Sequence, residues 1–126
     1  MTGPNAEPQP ELLTPQQKLN WCLTNLGDRI TCAGVGVSDA RRVGAWPVIG
    51  LPAEAQPAVD LLYETAKQIA DAYGEEGEKT AIAFLRGTNP YLDNVSPVEV
   101  IASTGWVDNP EQARESVRVA VSLLVD

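Results

Sequence analysis

An all-α fold is what this sequence predicts, on three observations. Apolar residues recur at spacings of three and four, as in Val59, Leu62, Ala66, Ile69 and Tyr73, which is the period of one helix face. Three stretches carry the same opening device: Thr14-Pro15-Gln16-Gln17, Ser96-Pro97-Val98-Glu99 and Asn109-Pro110-Glu111-Gln112. Each sets a capping side chain before a Pro at the first helical position, with Glu or Gln at the third. No segment alternates apolar and polar residues in the manner of a half-buried strand, and no internal repeat is present.

The elements follow in order. Residues 1–13 carry Pro4, Pro8 and Pro10 and little to bury, so a disordered tail is expected there. The first helix opens at Thr14, aligns Leu19, Cys22, Leu23 and Leu26 on one face, and stops at Gly27. Trp21 lies off that stripe and is free to pack against the segment that follows. Asp28 to Val35 forms a short second helix with Gly34 and Gly36 at its end. Ser38 or Asp39 caps a third, through Arg41, Arg42, Val43 and Trp46, and Pro47 and Gly50 end it. Pro52 and Pro57 mark the connection to a long fourth helix, Pro57 to Tyr73. Gly74-Glu75-Glu76-Gly77 reads as a solvated turn. A fifth helix runs from about Glu78 to Arg86 and a sixth from Pro97 to about Ser103. Thr104-Gly105-Trp106 breaks the chain. The last helix starts at Asn109 and keeps Ala113, Val117, Val121 and Leu124 in phase. The organisation expected is a tail over 1–13, a helix-turn-helix-like region over 14–56 and a second helical region over 57–126.

The chain has 126 residues, enough for one compact domain or two small helical subdomains on one core. Its formal charge is −8, unevenly spread. Glu7, Glu11, Asp28 and Asp39 balance Lys18, Arg29, Arg41 and Arg42 in the first fifty residues, so the whole excess of acid falls on 51–126. A neutral first part is free to approach DNA, and an acidic second part attracts basic partners. Cys22 and Cys32 form no Cys-x-x-Cys pair and there is no His, which argues against zinc or dithiol chemistry. Two small buried thiols in a reducing cytosol are expected instead. The first residues lack the basic and apolar blocks of a signal peptide, and no apolar run has the length of a membrane span, so a cytoplasmic protein is expected.

Enzyme chemistry finds no support, because nothing resembles a nucleophile elbow or a paired-carboxylate site. Gly34-Val35-Gly36-Val37-Ser38 has Asp39 where the dinucleotide fingerprint needs its third Gly, and no strand precedes it. Gly77-Glu78-Lys79-Thr80 is only superficially like a P-loop, since Glu75, Glu76 and Glu78 repel phosphate. No cofactor is expected.

Gly27 to Gly50 is the candidate helix-turn-helix. Ala33 supplies a small residue in the first helix, Gly36 a tight turn, and Ile30, Val35, Val37 and Val43 the aliphatics that lock the pair. The second helix then offers Arg41 and Arg42 outward to phosphates or guanine edges. Arg29 and Ser38 complete the expected DNA-contacting set. The structural alternative is a helical hairpin with solvated arginines.

From Leu62 to Ile101 the sequence resembles the toxin-binding domain of the Xre/MbcA/ParS-type antitoxins. The resemblance rests on Phe84-Leu85, Asn89-Pro90, Leu92, Pro97 and Val100-Ile101, and it extends loosely to the helix-turn-helix, where Trp46 sits near the end of the second helix. It implies an antitoxin of a bacterial type II toxin–antitoxin pair. Such a protein binds its operator as a dimer, represses its own operon, and covers the active site of an NAD-consuming RES-type toxin or a related ADP-ribosyltransferase-like one. Phe84, Asn89, Tyr91, Trp106, Val117 and Leu124 are the toxin-contacting residues expected. Leu62 and Ile69 lie in a seam that is either a dimer contact or core. The alternatives are a stand-alone helix-turn-helix regulator, as on a phage or mobile element, and an adaptor that binds no DNA.

Overall fold

The computed structural model describes residues 13–105 and 110–125, and seven α-helices are present among them. They are α1 (Pro15–Asn25), α2 (Asp28–Val35), α3 (Ala40–Ile49), α4 (Gln56–Tyr73), α5 (Gly77–Arg86), α6 (Pro97–Ala102) and α7 (Pro110–Val125). The fold is all-α, as expected. The one extended pairing among the described residues is an isolated antiparallel bridge between Asn89 and Val95. No helix among them is long and apolar enough to cross a membrane. Residues 1–12 of the expected tail, Trp106 and the Asn109 cap lie outside the described residues, whereas Leu13 packs against the core.

α4 is the central pillar. It packs against α1, α2, α5, α6 and α7, and Val59, Leu61, Leu62, Ala66 and Ile69 along it are fully buried. Leu19 and Cys22 from α1, Leu85 from α5, Ile101 from α6 and Val117 and Val121 from α7 join it in the core, as does Val43 from α3, which packs against α1 and α2. These side chains form one continuous cluster, so the two expected regions share a single core. Burying each such aliphatic contributes about 2 kcal/mol relative to leaving it in water.

Local chemistry sets the helix ends. Thr14 makes both halves of a capping box: its Oγ1 accepts from Gln17 N–H at 3.1 Å, and its own N–H donates to Gln17 Oε1 at 2.9 Å. Ser96 precedes Pro97 as expected, and its C=O accepts from Glu99 N–H at 3.0 Å, but its side chain does not cap the α6 backbone. Its hydroxyl donates instead to the Glu99 carboxylate at 3.0 Å. Pro47 does not end α3, which continues to Ile49 and closes where Gly50 N–H donates to Trp46 C=O at 2.8 Å. A proline removes its own backbone donor but leaves those of the following residues intact. Gln16 steadies this last turn from α1: its Nε2 donates to Trp46 C=O, and its Oε1 accepts from Leu51 N–H at 3.2 Å. Glu75 and Glu76 are solvated, but Gly77 is not part of that turn. It is the first residue of α5 and it is buried.

Trp21 meets α4, its ring edge-on to Tyr63 at 5.4 Å between centroids and 85° between planes. Lys18 lies beside the same ring and pairs with Asp60 at 3.2 Å. α1 is therefore fastened to α4 by an aromatic contact and a partly buried ion pair.

Candidate functional site

α2 and α3 meet across a four-residue turn, Gly36 to Asp39. Gly36 takes the left-handed conformation (φ 74°, ψ 23°), which costs a glycine little. Its N–H donates to Ala33 C=O at 3.3 Å, and the next N–H, of Val37, donates to Cys32 C=O at 3.1 Å. This pair of bonds closes α2 in the Schellman manner and turns the chain sharply. Asp39, not Ser38, then caps α3: its Oδ1 accepts from Arg41 N–H at 3.0 Å and from Arg41 Nε at 3.3 Å. α3 buries Val43 and Trp46 and leaves Arg41, Arg42, Gly44, Val48 and Ile49 exposed.

The four expected DNA-contacting residues are thus all at the surface. Arg29 and Ser38 line one groove of about 430 Å³ over the α2–α3 turn, with Asp28, Cys32 and Ala33. Arg42 lines a neighbouring cleft of about 150 Å³, beside Trp46 and Glu54. Arg41 stands in solvent, its side chain 93% exposed even with its contact to Asp39. Gly34 is the small residue that lets α4 come close to α2, and Ala33, expected to serve the α2–α3 crossing, is exposed. A Cβ on Gly34 would come within 2.9 Å of Leu62 Cδ2.

Of the expected toxin contacts, the five among the described residues differ in exposure. Val117 is fully buried. Phe84 and Leu124 are half-buried and packed against the core. Asn89 caps the Pro90–Leu92 turn, its Oδ1 accepting from Tyr91 N–H at 2.9 Å. Trp106 lies outside the described residues. Tyr91 is the exposed one, at 52%. It sits on a closed loop: Asn89 N–H donates to Val95 C=O at 3.2 Å, and Val95 N–H to Leu92 C=O at 3.1 Å. Asp93 and Asn94 both have positive φ, 59° and 63°, a left-handed pair that turns the chain from the Pro90–Leu92 turn back to Val95. The expected dimer residues Leu62 and Ile69 are each 0% exposed within the single chain. They serve as core and have no surface left to offer a second copy.

Cys22 and Cys32 are free and buried. Burial pushes the Cys22 thiol up to about 12. Burial first, then the charges of Asp28 and Asp39, push Cys32 up as well. Neither has the depressed pKa of a nucleophile. Among the described residues no group of His, Cys, Asp and Glu is placed to hold a metal ion.

Val48 and Ile49 were not legible as surface features, because Pro47 reads as the end of the helix that carries them. Comparison with known proteins adds nothing to the geometry: no family model matches the chain, and no characterised protein or solved structure matches it significantly.

Proposed function

We propose that this chain is a DNA-binding antitoxin of a bacterial type II toxin–antitoxin pair. α2 and α3 form its operator-reading unit, and the acidic 51–126 part covers the active site of an NAD-consuming toxin. One observation carries the DNA half. The left-handed turn at Gly36 joins two short helices so that Val43 and Trp46 are held in the core while Arg41 and Arg42 project from the first turn of α3. That is how a recognition helix is held for the major groove. The toxin half is supported by the sequence resemblance and by the location of the net charge of −8 in 51–126, which favours a cationic, anion-binding partner site.

The experiment is a titration of the purified chain against duplex DNA from its own upstream region, at several salt concentrations, with co-expression of the neighbouring gene product beside it. Binding that weakens on Arg41→Ala/Arg42→Ala, together with rescue from a toxic neighbour, supports the proposal. The stand-alone regulator is favoured by one observation, the burial of Val117 together with the half-buried positions of Phe84 and Leu124, which takes away much of the expected toxin-facing surface. DNA binding without a toxic neighbour selects that alternative.

A further inference from the structure

The outward face of α3 carries Arg41, Gly44, Ala45 and Val48, spaced as i, i+3, i+4 and i+7. Gly44 is unusual on it. Glycine weakens a helix relative to alanine, and nothing within the chain calls for it here. Its φ is not in the left-handed region, and a Cβ at this position would meet no atom within 4 Å. One turn further on, Val48 and Ile49 are 89% and 74% exposed, more than any other large hydrophobic side chain among the described residues. One turn before it, Arg41 is 93% exposed. A cation, a gap and an apolar end therefore lie along one line of one helix.

We propose that this line reads a guanine and a thymine together in a DNA major groove, an inference that rests on the DNA-binding function proposed above. The arginine end takes the guanine O6 and N7 acceptors. The Val48 end meets the 5-methyl group of a thymine, the apolar mark of that base in the groove. Gly44, with Ala45 beside it, lets the helix axis approach the base edges between them. Seven residues of helix span about 10 Å, or about three steps of 3.4 Å along a strand, which sets the separation of the two bases. Charge decides the occupant. Arg41 and Arg42 are both exposed on the short helix that carries Val48 and Ile49, and Arg41 meets Asp39 through Nε, so the Nη end of its guanidinium is the part offered to a polyanion, which DNA is and a second copy of this acidic chain is not organised to be.

The test starts from duplexes selected by the full-length chain out of a randomised pool. In the selected duplexes each thymine is then replaced by uracil, which lacks only the methyl group. The wild type should lose roughly fivefold in affinity at one position, about three base pairs from a guanine. Val48→Ser should bind the thymine and uracil duplexes equally. Gly44→Leu should weaken binding to all duplexes while melting at or above the wild-type temperature. Equal wild-type affinity for thymine and uracil duplexes, or unchanged binding by Gly44→Leu, overturns this inference and leaves the DNA-binding function standing. Selection of no duplex at all overturns both. If Val48→Ser converts a DNA-free dimer to a monomer in light scattering, the face belongs to a second copy and the inference fails.

Discussion

Gly77 lies so close to Ala70 that a Cβ on it would stand 2.3 Å from the Ala70 carbonyl oxygen and 2.6 Å from its Cα. The φ of Gly77 is −61°, an ordinary helical value. Glycine is needed here for space, where α4 hands over to α5, and not for backbone freedom. The atoms in the way are backbone, so they cannot rotate aside. Gly77→Ala should therefore destabilise the protein by about 3 kcal/mol, a fall of roughly 10 °C in melting temperature. Gly44→Ala, with open space at its Cβ, should instead add about 1 kcal/mol. Thermal melts of the two variants check both signs, and a Gly77→Ala protein that melts with the wild type refutes the steric account.

Gln16 is a position where one side chain holds two elements together. It is on α1, yet its amide serves Trp46 C=O and Leu51 N–H at the end of α3. Gln16→Leu should cost about 1 to 2 kcal/mol. Gln16→Glu keeps the acceptor for Leu51 and loses the donor for Trp46, so it should recover only part of that. Because α3 carries Arg41 and Arg42, both variants should also weaken duplex binding by more than the melting shift implies. Urea titrations and anisotropy on the same samples separate the two effects.

These two residues show where the sequence stops being legible. Helix existence was readable throughout, because apolar periodicity and the Thr14 capping box are local signals. Gly77 reads as turn in the sequence, since a glycine after Glu75-Glu76 looks like loop. Its role depends on Ala70, seven residues away and on another helix. Gln16 read as an ordinary first-turn residue because its partners are 30 and 35 residues distant. At the candidate site, Arg41 and Arg42 were readable as adjacent cations behind a cap. The burial of Val117 was not, because apolar periodicity in α7 is the same whether the face meets α4 or a partner.

The thiols give a pH dependence with a definite sign. Cys22 titrates near 12 in the folded protein, against 9.0 for an unhindered thiol, because burial disfavours its thiolate. The native state keeps the proton where the unfolded chain releases it. Stability is thus fully present below pH 9 and falls as pH rises from about 9 toward 12, by roughly 1 kcal/mol per pH unit from this group. Urea unfolding at pH 8 and pH 10.5 measures the loss, and Cys22→Ala should make the difference smaller. At pH 8 a thiol-specific disulfide reagent should label Cys22 only as fast as the protein opens. Rapid labelling of Cys22 in native Cys32→Ser protein contradicts the burial.

Arg41 and Arg42 should act through phosphate and base contacts rather than through the fold. Both are exposed, and the ion pair of Arg41 with Asp39 lies largely in solvent, where such pairs contribute little to stability. Arg41→Ala/Arg42→Ala should melt within a few degrees of the wild type. Its affinity for the operator should fall, and the slope of log K against log salt should shrink by roughly two units if both contact phosphate. An unchanged affinity and slope removes α3 from the DNA interface.

The proposed toxin contact calls for point substitutions, because α7 cannot be removed cleanly. α7 buries Val117, Ala120 and Val121 to 2% exposure or less. Arg118 pairs with Glu64 of α4 at 2.8 Å, and the Tyr73 hydroxyl donates to Leu124 C=O at 3.0 Å. Deleting residues 110–126 exposes the α4 side of that contact. At about 2 kcal/mol for each buried aliphatic, the loss approaches the whole stability of a small domain. Such a truncation should unfold the chain and abolish operator binding along with everything else. Tyr91 and Leu123 are different, at 52% and 68% exposed. Tyr91 is also held outward by the closed Asn89–Val95 loop, so little entropy is left to lose on binding. Tyr91→Ala/Leu123→Ser should therefore melt near the wild type and bind operator DNA normally. It should weaken toxin binding by about 2 kcal/mol or more if Tyr91 is an anchor, read as lost rescue in a co-expression growth assay. Full rescue by this double variant places the toxin contact on another face of the acidic half.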